Sequence, residues 1–322
     1  MKKSFYFFVL IIGLIGIVKF FSFATTELAN DHSYMKYFNS KYSIFALPKP
    51  IVQMDFCGER VPIENPDIWE RYDKELLKNT YWQSNTLLLH KRAHKYFPII
   101  EPILKEYQVP DDFKYLALIE SGLENVISPA GATGFWQIME GTAKEFDMEV
   151  NSEIDERYHL EKSTILACKF LLSGRKKFGS WTLSAAAYNM GRTGLQKQIN
   201  IQKVNTYYDL QLNNETSRYV FRLLAVKEII ENPKHYGFHF RDIDLYHHVP
   251  TYSVSVDKAV SNWADFAHQY DINYKILKRY NPWLRKNYLT NSKRKVYKID
   301  IPQKGYYTFQ PTNTTKIIEL SK

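Results

Sequence analysis

The chain has 322 residues and carries 43 Lys and Arg against 34 Asp and Glu, a formal net charge of +9. That length is room for about two domains, and 45% hydrophobic residues exclude a chain too polar to build a core. No Cys or His group has the spacing of metal ligands, so the pattern predicts no metal and no cofactor; the nine His are scattered, and His247-His248 reads as a loop pair.

The N-terminus reads MKKS, then the apolar run Phe5–Val18, then Lys19. A basic start, a short apolar stretch and small residues at Ser22 and Ala24 describe a secretory signal peptide over residues 1–24. If Lys19 snorkels and the stretch extends to Ala24, the same segment is an N-terminal membrane anchor. Either way the body is exported, to the periplasm or cell envelope. Export places Cys57 and Cys168 in an oxidising compartment. Cys168 lies in the apolar stretch STILACKFLL, where a free core thiol is the simple reading and a Cys57–Cys168 bridge the alternative.

Residues 25–90 mix polar stretches, aromatics and Pro48, Pro50, Pro62 and Pro66. They read as an extended N-terminal arm with one short helix over Asp67–Lys78. Residues 91–235 then turn helical. Pro110-Asp111-Asp112 opens a helix with an acidic first turn. Phe113, Leu116, Ala117 and Glu120 follow at i, i+3, i+4 and i+7, on one face. Tyr115, Leu118 and Ile119 make the other faces apolar, so this helix is predicted to be buried on most sides. Further helices are predicted over His159–Lys177, Thr182–Asn189 and Glu215–Ile230, and no alternating strand pattern competes.

The character changes after Pro250. TYSVSV alternates as a strand does, Asn262–Tyr270 and Tyr274–Tyr280 read as short helices, and Val296–Pro302 alternates again. Residues 246–302 thus form a small β-α-α-β unit, followed by a polar tail over 303–322. Residues 246–322 hold thirteen Lys and Arg against five Asp and Glu, so most of the net charge sits there. Such a module suits an acidic partner. Export argues against nucleic acid and leaves anionic lipid, a carboxylate-bearing polymer, or a basic surface that is simply solvated. Aromatics make up 16% of the chain; their flat faces and polar tips suit sugar rings, as they equally suit a Tyr-rich core and surface.

Glu120 is the residue that stands out. A carboxyl on an apolar helix face pays for desolvation when it ionises, so its pKa rises. A Glu near neutral pKa can donate a proton and later take one back. The competing reading is a structural Glu that caps a helix end or pairs with an Arg.

The stretch around it resembles the catalytic domain of the lytic transglycosylases of glycoside hydrolase family 23, the SLT domain. Four motifs occur in the family's order: Glu120-Ser121 for the catalytic ES, Gly134-Phe135-Trp136-Gln137-Ile138-Met139 preceded by Ser128-Pro129, Ala187-Tyr188-Asn189-Met190-Gly191, and Glu215-Thr216 through Tyr219-Val220. The resemblance implies a mainly α chain with a lysozyme-like (goose-type/SLT) helical catalytic domain. It implies Glu120 as catalytic acid, then base, and substrate binding by Ser128, Gln137, Met139, Tyr188, Asn189 and Tyr219, with peptidoglycan glycan strands as the partner. Met139 and Trp136 are also readable as core packing, and Asn189 as a helix cap. Residues 246–302 resemble a LysM module, which binds GlcNAc-containing glycans, although Val256-Asp257-Lys258-Ala259 stands where that module's Gly-Asp-Thr opening is usual. Two alternatives stay open: a goose-type-like lysozyme, which hydrolyses, and a non-catalytic peptidoglycan-binding protein. A hydrolase would need a group to orient water; the acidic stretch Asp147, Glu149, Glu153, Asp155 and Glu156 reads instead as a solvated loop.

Overall fold

The computed structural model describes residues 31–38, 46–48 and 53–307. The expected signal or anchor and the polar tail beyond residue 307 lie outside the described residues. No described helix is long and apolar enough to cross a membrane. The chain divides into two units, Met1–Pro48 and Lys49–Lys322. The first contributes one described helix, α1, over residues 31–38.

The second unit opens on a two-residue hairpin, β1 (Asp55–Phe56) with β2 (Glu59–Arg60). It serves the helices that follow. Phe56 is fully buried edge-on to Phe113, with ring centroids 5.4 Å apart. The Glu59 carboxylate accepts from the backbone N–H groups of Trp181 and Thr182 and from the hydroxyls of Ser180 and Thr182, at 2.6–2.9 Å. Burial pushes its pKa up, but these donors outweigh it, and the net direction is down. A carboxylate at the start of a helix also meets the positive end of the helix dipole.

The short helix expected over Asp67–Lys78 is present, but it and residues 83–90, read as part of an extended arm, belong to the helical body. Helix α2 (Pro66–Tyr81) buries Ile68, Tyr72 and Leu76 along one stripe, and α3 runs from Gln83 to Glu106. Pro66 does not prevent this, because the first helical turn tolerates a residue without an N–H. Helix α2 is bolted to the last helix of the body: Arg71 donates to the Ser217 carbonyl at 2.6 Å, and the buried Glu75 accepts from Arg218 Nε at 2.6 Å.

A 3₁₀ turn over Asp111–Phe113 leads into α4 (Lys114–Ser121). Then come α5 (Glu140–Glu145), α6 (Leu160–Phe178), α7 (Trp181–Met190), α8 (Arg192–Gln202) and α9 (Asn214–Glu231). The predicted helices at 159–177, 182–189 and 215–230 are present, each to within about two residues; α5 and α8 carry too little apolar periodicity to be read from sequence. Helices α6 and α7 approach closely because Gly174 stands where a Cβ would strike the Ser184 hydroxyl. Cys57 and Cys168 are both free thiols, and Cys168 is buried as expected.

The last part is the predicted β-α-α-β module. Strands β3 (Thr251–Val256) and β4 (Tyr297–Pro302) pair antiparallel in the register Thr251↔Pro302 to Val256↔Tyr297, with α10 (Trp263–His268) and α11 (Tyr274–Tyr280) between them. Its core includes Trp263, Leu277, Ile299 and Ile301, but also Ile154 and Tyr158 of the helical body.

The acidic stretch is therefore not a solvated loop. Asp147 alone fits that description. Glu153 accepts from Thr290 N–H at 2.8 Å, and its carbonyl accepts from Arg285 N–H at 2.7 Å. Glu149 pairs with Lys295 at 2.6 Å and accepts from the Tyr297 hydroxyl. Asp155 N–H donates to the Trp283 carbonyl at 2.9 Å, and Asp155 and Glu156 are buried. The Arg285 guanidinium lies 4.0 Å from the centre of the Tyr158 ring. Part of the module's basic charge is thus met inside the protein. Deleting the chain from Tyr246 onward strips cover from Ile154 and Tyr158, each worth up to ~1.5–3 kcal/mol when buried, and removes Lys295 and Tyr297 from Glu149 and Thr290 from Glu153. The remaining body should melt several degrees lower than the full chain in a calorimetric scan; equal melting temperatures would mean that the module adds nothing to the body's stability.

Candidate active site

Helix α4 ends where Gly122 takes φ 62°, its N–H donating to the Leu118 carbonyl at 2.9 Å. Such a left-handed residue after the last turn is a place for glycine. The helix buries Leu116, Ala117, Leu118 and Ile119, and this burial draws the last turn, with Glu120, into the body. Glu120 itself is half-buried. Its carboxylate Oε1 accepts a hydrogen bond from the Tyr219 hydroxyl of α9. Burial, the dominant effect, raises its pKa; the Tyr219 bond and the nearby Arg222 charge pull it down, and Glu215 pushes it up, so that it lies at about 7. Tyr219 and Tyr188 are held protonated, mainly by burial and further by the negative charge of Glu120. The arrangement supplies a carboxyl that exchanges a proton near neutral pH, beside a hydroxyl that stabilises it once ionised.

The Gly-rich loop after α4 folds back on itself through bridges Ile127↔Thr133 and Thr133↔Ile138. Its backbone is tied down from three sides. The Ser121 hydroxyl, next to Glu120, donates to the Phe135 carbonyl at 2.8 Å. The Tyr188 hydroxyl of α7 donates to the Trp136 carbonyl at 2.7 Å. Trp136 is fully buried and donates its indole N–H to Thr164 of α6 at 2.8 Å, so of its two readings the core aromatic is the one present.

Arg157 completes the brace. Buried, it forks onto Asp155 at 2.8–2.9 Å and donates to the carbonyls of Gly131 and Ile138 at 3.3 Å. Gly134, at φ 82°, lies so close to the Arg157 backbone that a Cβ would overlap its carbonyl.

The predicted site residues divide accordingly. Tyr219 bonds Glu120 directly, and Tyr188 lies close enough to feel its charge. Asn189 spans two helix ends, donating to Glu215 at 2.9 Å and accepting from the Thr216 hydroxyl at 2.7 Å. Ser128 and Gln137 bond within the loop: Ser128 Oγ accepts from Ala132 N–H at 3.0 Å, and Gln137 Nε2 donates to the carbonyls of Gly134 and Val126. Met139 is 45% exposed rather than packed in the core. Sequence reasoning assigned no role to Arg157, Asp155, Glu215 or Arg222. Glu215 stood in a quoted motif, whereas Arg157 carries no local signal.

Residues 97–210 match the family model described as the transglycosylase SLT domain, and residues 252–305 match that of the soluble lytic transglycosylase C-terminal LysM-like domain. Over residues 97–210 the chain is thus similar to the SLT-domain family. Among curated proteins, membrane-bound lytic murein transglycosylase D of Escherichia coli (strain K12) is 31% identical over 191 residues, covering 56% of this chain and 41% of that protein. The chain thus spans less than half the length of that relative. Two solved structures are also similar. The 70 kDa soluble lytic transglycosylase of Escherichia coli has 23% identity over 43% of this chain and 24% of its own, with a TM-score of 0.36. The lytic transglycosylase Slt of Pseudomonas aeruginosa has 18% identity over 48% and 26%, with a TM-score of 0.34.

Within the region that matches the SLT domain, the raised Glu120 pKa carries a stability cost. Its folded pKa of about 7 lies above the ordinary carboxylate value of 4.5. Folding is therefore unhindered by this group below pH 4.5, and the penalty builds as pH rises to about 7, reaching up to ~3 kcal/mol. Glu120→Gln should be more stable than the wild type in denaturant unfolding at pH 8, and the gain should vanish near pH 4. A gain independent of pH would mean that Glu120 is not held protonated by burial.

Proposed function

We propose that the chain is an exported peptidoglycan lytic transglycosylase that cleaves MurNAc-β-1,4-GlcNAc bonds without water. The observation that carries this reading is the Glu120 carboxyl, near neutral pKa and hydrogen-bonded by buried Tyr219 at the edge of the braced loop. The SLT-domain match and the similarity to an enzyme named as a lytic murein transglycosylase support the substrate class.

The protonated Glu120 gives its proton to the glycosidic oxygen, and the GlcNAc side leaves as an alcohol. The 2-acetamido group of the MurNAc stabilises the positive centre at C1, the substrate-assisted route that needs no second carboxylate. Glu120, now ionised and steadied by the Tyr219 hydroxyl, takes the proton of the C6 hydroxyl of the same sugar. That oxygen closes on C1 and leaves a 1,6-anhydroMurNAc end. Ser128, Gln137, Met139, Tyr188 and Asn189 are assigned to the walls of the glycan site, several of them through the loop geometry they hold. The LysM-like module is assigned to binding wall glycan, and the N-terminal segment to export or membrane attachment at the cell envelope.

A goose-type-like lysozyme is the second reading. One observation favours it: Glu215 is a second carboxylate close enough to raise the Glu120 pKa. Its hydrogen bond to Asn189 gives it a structural task instead. A non-catalytic wall-binding protein is disfavoured, since such a protein has no use for a carboxyl held near neutrality.

Glu120→Gln should lower release of soluble glycan from purified sacculi by about 10²–10⁴-fold, the usual worth of a positioned acid-base group, with an unchanged circular-dichroism spectrum. Retention of a tenth of the activity or more by the folded variant would rule out this mechanism. Wild-type turnover should fall about tenfold per pH unit well above pH 7, as the acid form of Glu120 is lost; a flat profile between pH 7 and 9 would point to another donor. Digestion in ¹⁸O-water should leave the anhydro ends unlabelled by mass spectrometry, whereas ¹⁸O-labelled reducing MurNAc as the main product would move the protein to the lysozyme reading.

A further inference from the structure

The sequence shows no metal-ligand spacing, but the fold brings three donors together from distant places. His94 sits on α3, Asp242 in the 3₁₀ turn Asp242–Asp244, and His247 in the segment that leads into β3. We propose that His94, Asp242 and His247 form a binding site for a borderline divalent cation of the Zn²⁺ class, which clamps the segment entering the C-terminal module onto α3. This goes beyond the activity proposed above and does not depend on it.

Ligand atoms of the three residues all lie within 4.8 Å of one another. His94 Nε2 is 3.9 Å from one Asp242 oxygen, and His247 Nε2 is 4.0 Å from the other. Bonds of ~2.0–2.2 Å in a tetrahedral site require these exposed side chains to close in by less than ~1 Å.

Three further observations favour a ligand set over a chance meeting of polar groups. First, His94 Nδ1 is 3.0 Å from the Tyr246 carbonyl. A carbonyl only accepts, so the proton is on Nδ1 and the Nε2 lone pair is free to ligate. A histidine held through its other nitrogen by a backbone oxygen is the usual support of a bound metal. Second, the neighbouring Asp244 is committed to Arg241, with bonds at 2.9 and 3.1 Å, whereas the Asp242 carboxylate faces the two imidazoles. Third, the imidazoles meet edge to face with centroids 4.9 Å apart, so both are already directed into one volume. The His247 Nε2–H bonds the Asp242 carbonyl at 3.2 Å, and that proton must move to Nδ1 when the metal arrives. Two imidazoles and a carboxylate suit Zn²⁺ rather than Mg²⁺ or Ca²⁺, which prefer oxygen donors. Solvent supplies the fourth position at this exposed site.

Placement gives the site a consequence. Helix α3 belongs to the helical body, and residues 241–248 are the approach to β3 at Thr251. Tyr246, whose ring lies 5.4 Å from Lys91 Nζ of α3, already rests on that helix. A cation shared by His94 and His247 would fasten the approach at both ends of a single turn.

The test uses the full chain, stripped with a chelator and titrated with ZnCl₂ against a chromophoric indicator. One Zn²⁺ per chain should bind, undisturbed by excess Mg²⁺ or Ca²⁺. His94→Ala, His247→Ala and Asp242→Asn should each weaken binding by about tenfold or more, while His248→Ala, altering the adjacent histidine outside the cluster, should not. Zn²⁺ should also slow proteolytic cleavage between residues 239 and 249 in the wild type but not in His94→Ala. Absence of saturable binding, or binding that survives His94→Ala with His247→Ala, would overturn the site; stoichiometric binding without protection of the segment would overturn the clamp.

Discussion

A buried fork between Arg157 and Asp155 holds three parts of this molecule in register. The guanidinium reaches the Gly131 and Ile138 carbonyls of the loop beside Glu120, while the Asp155 N–H reaches the Trp283 carbonyl of the C-terminal module. Taking one partner from a buried pair costs ~3–5 kcal/mol, because the other charge is then left without compensation. Against a net stability of ~5–15 kcal/mol for a typical domain, that is a large share. The fork also fixes the identity of Gly134, since the Arg157 backbone fills the space a side chain would need.

Around this brace the site reconciles two opposed demands. The apolar faces of α4 must be buried, which brings Glu120 into surroundings that disfavour its charge. Yet for the proposed acid-base role an ionised Glu120 must be tolerable, so that the group can take back a proton. Tyr219 resolves the conflict, because a hydroxyl can donate to the carboxylate without adding a positive charge that would drive the pKa far down. Arg222 and Glu215 act at longer range and in opposite directions. The result is a carboxyl tuned to neutrality by burial, with one short-range donor as its counterweight.

The C-terminal module shows how charge is used twice. Its basic surplus suggested an external acidic partner, yet Lys295, the Arg285 backbone and Thr290 are directed at Glu149 and Glu153 of the body. Ile154 and Tyr158 complete the module's own core. Body and module therefore share hydrophobic and polar contacts at the very segment that braces the loop beside Glu120.

The sequence by itself determined the mainly α body, the β-α-α-β module and the apolar, mostly buried helix that carries Glu120. Each rests on local signals: the apolar period of α4, alternation in TYSVSV, and four motifs in a fixed order. It also grouped Tyr188 and Tyr219 with Glu120, but only by resemblance, since nothing local to Tyr219 points to a residue 99 positions away. The short helix at Asp67–Lys78 was legible, whereas its membership of the body and the start of α3 at Gln83 were not, because the stretch was read by its composition as an arm. The acidic stretch looked solvated because charge alone does not reveal a partner more than a hundred residues distant. The fork of Arg157, the role of Gly134 and the meeting of His94 with Asp242 and His247 were decided by tertiary structure. Periodicity reports which face of an element is buried, whereas pairing between elements is set by how the chain closes on itself.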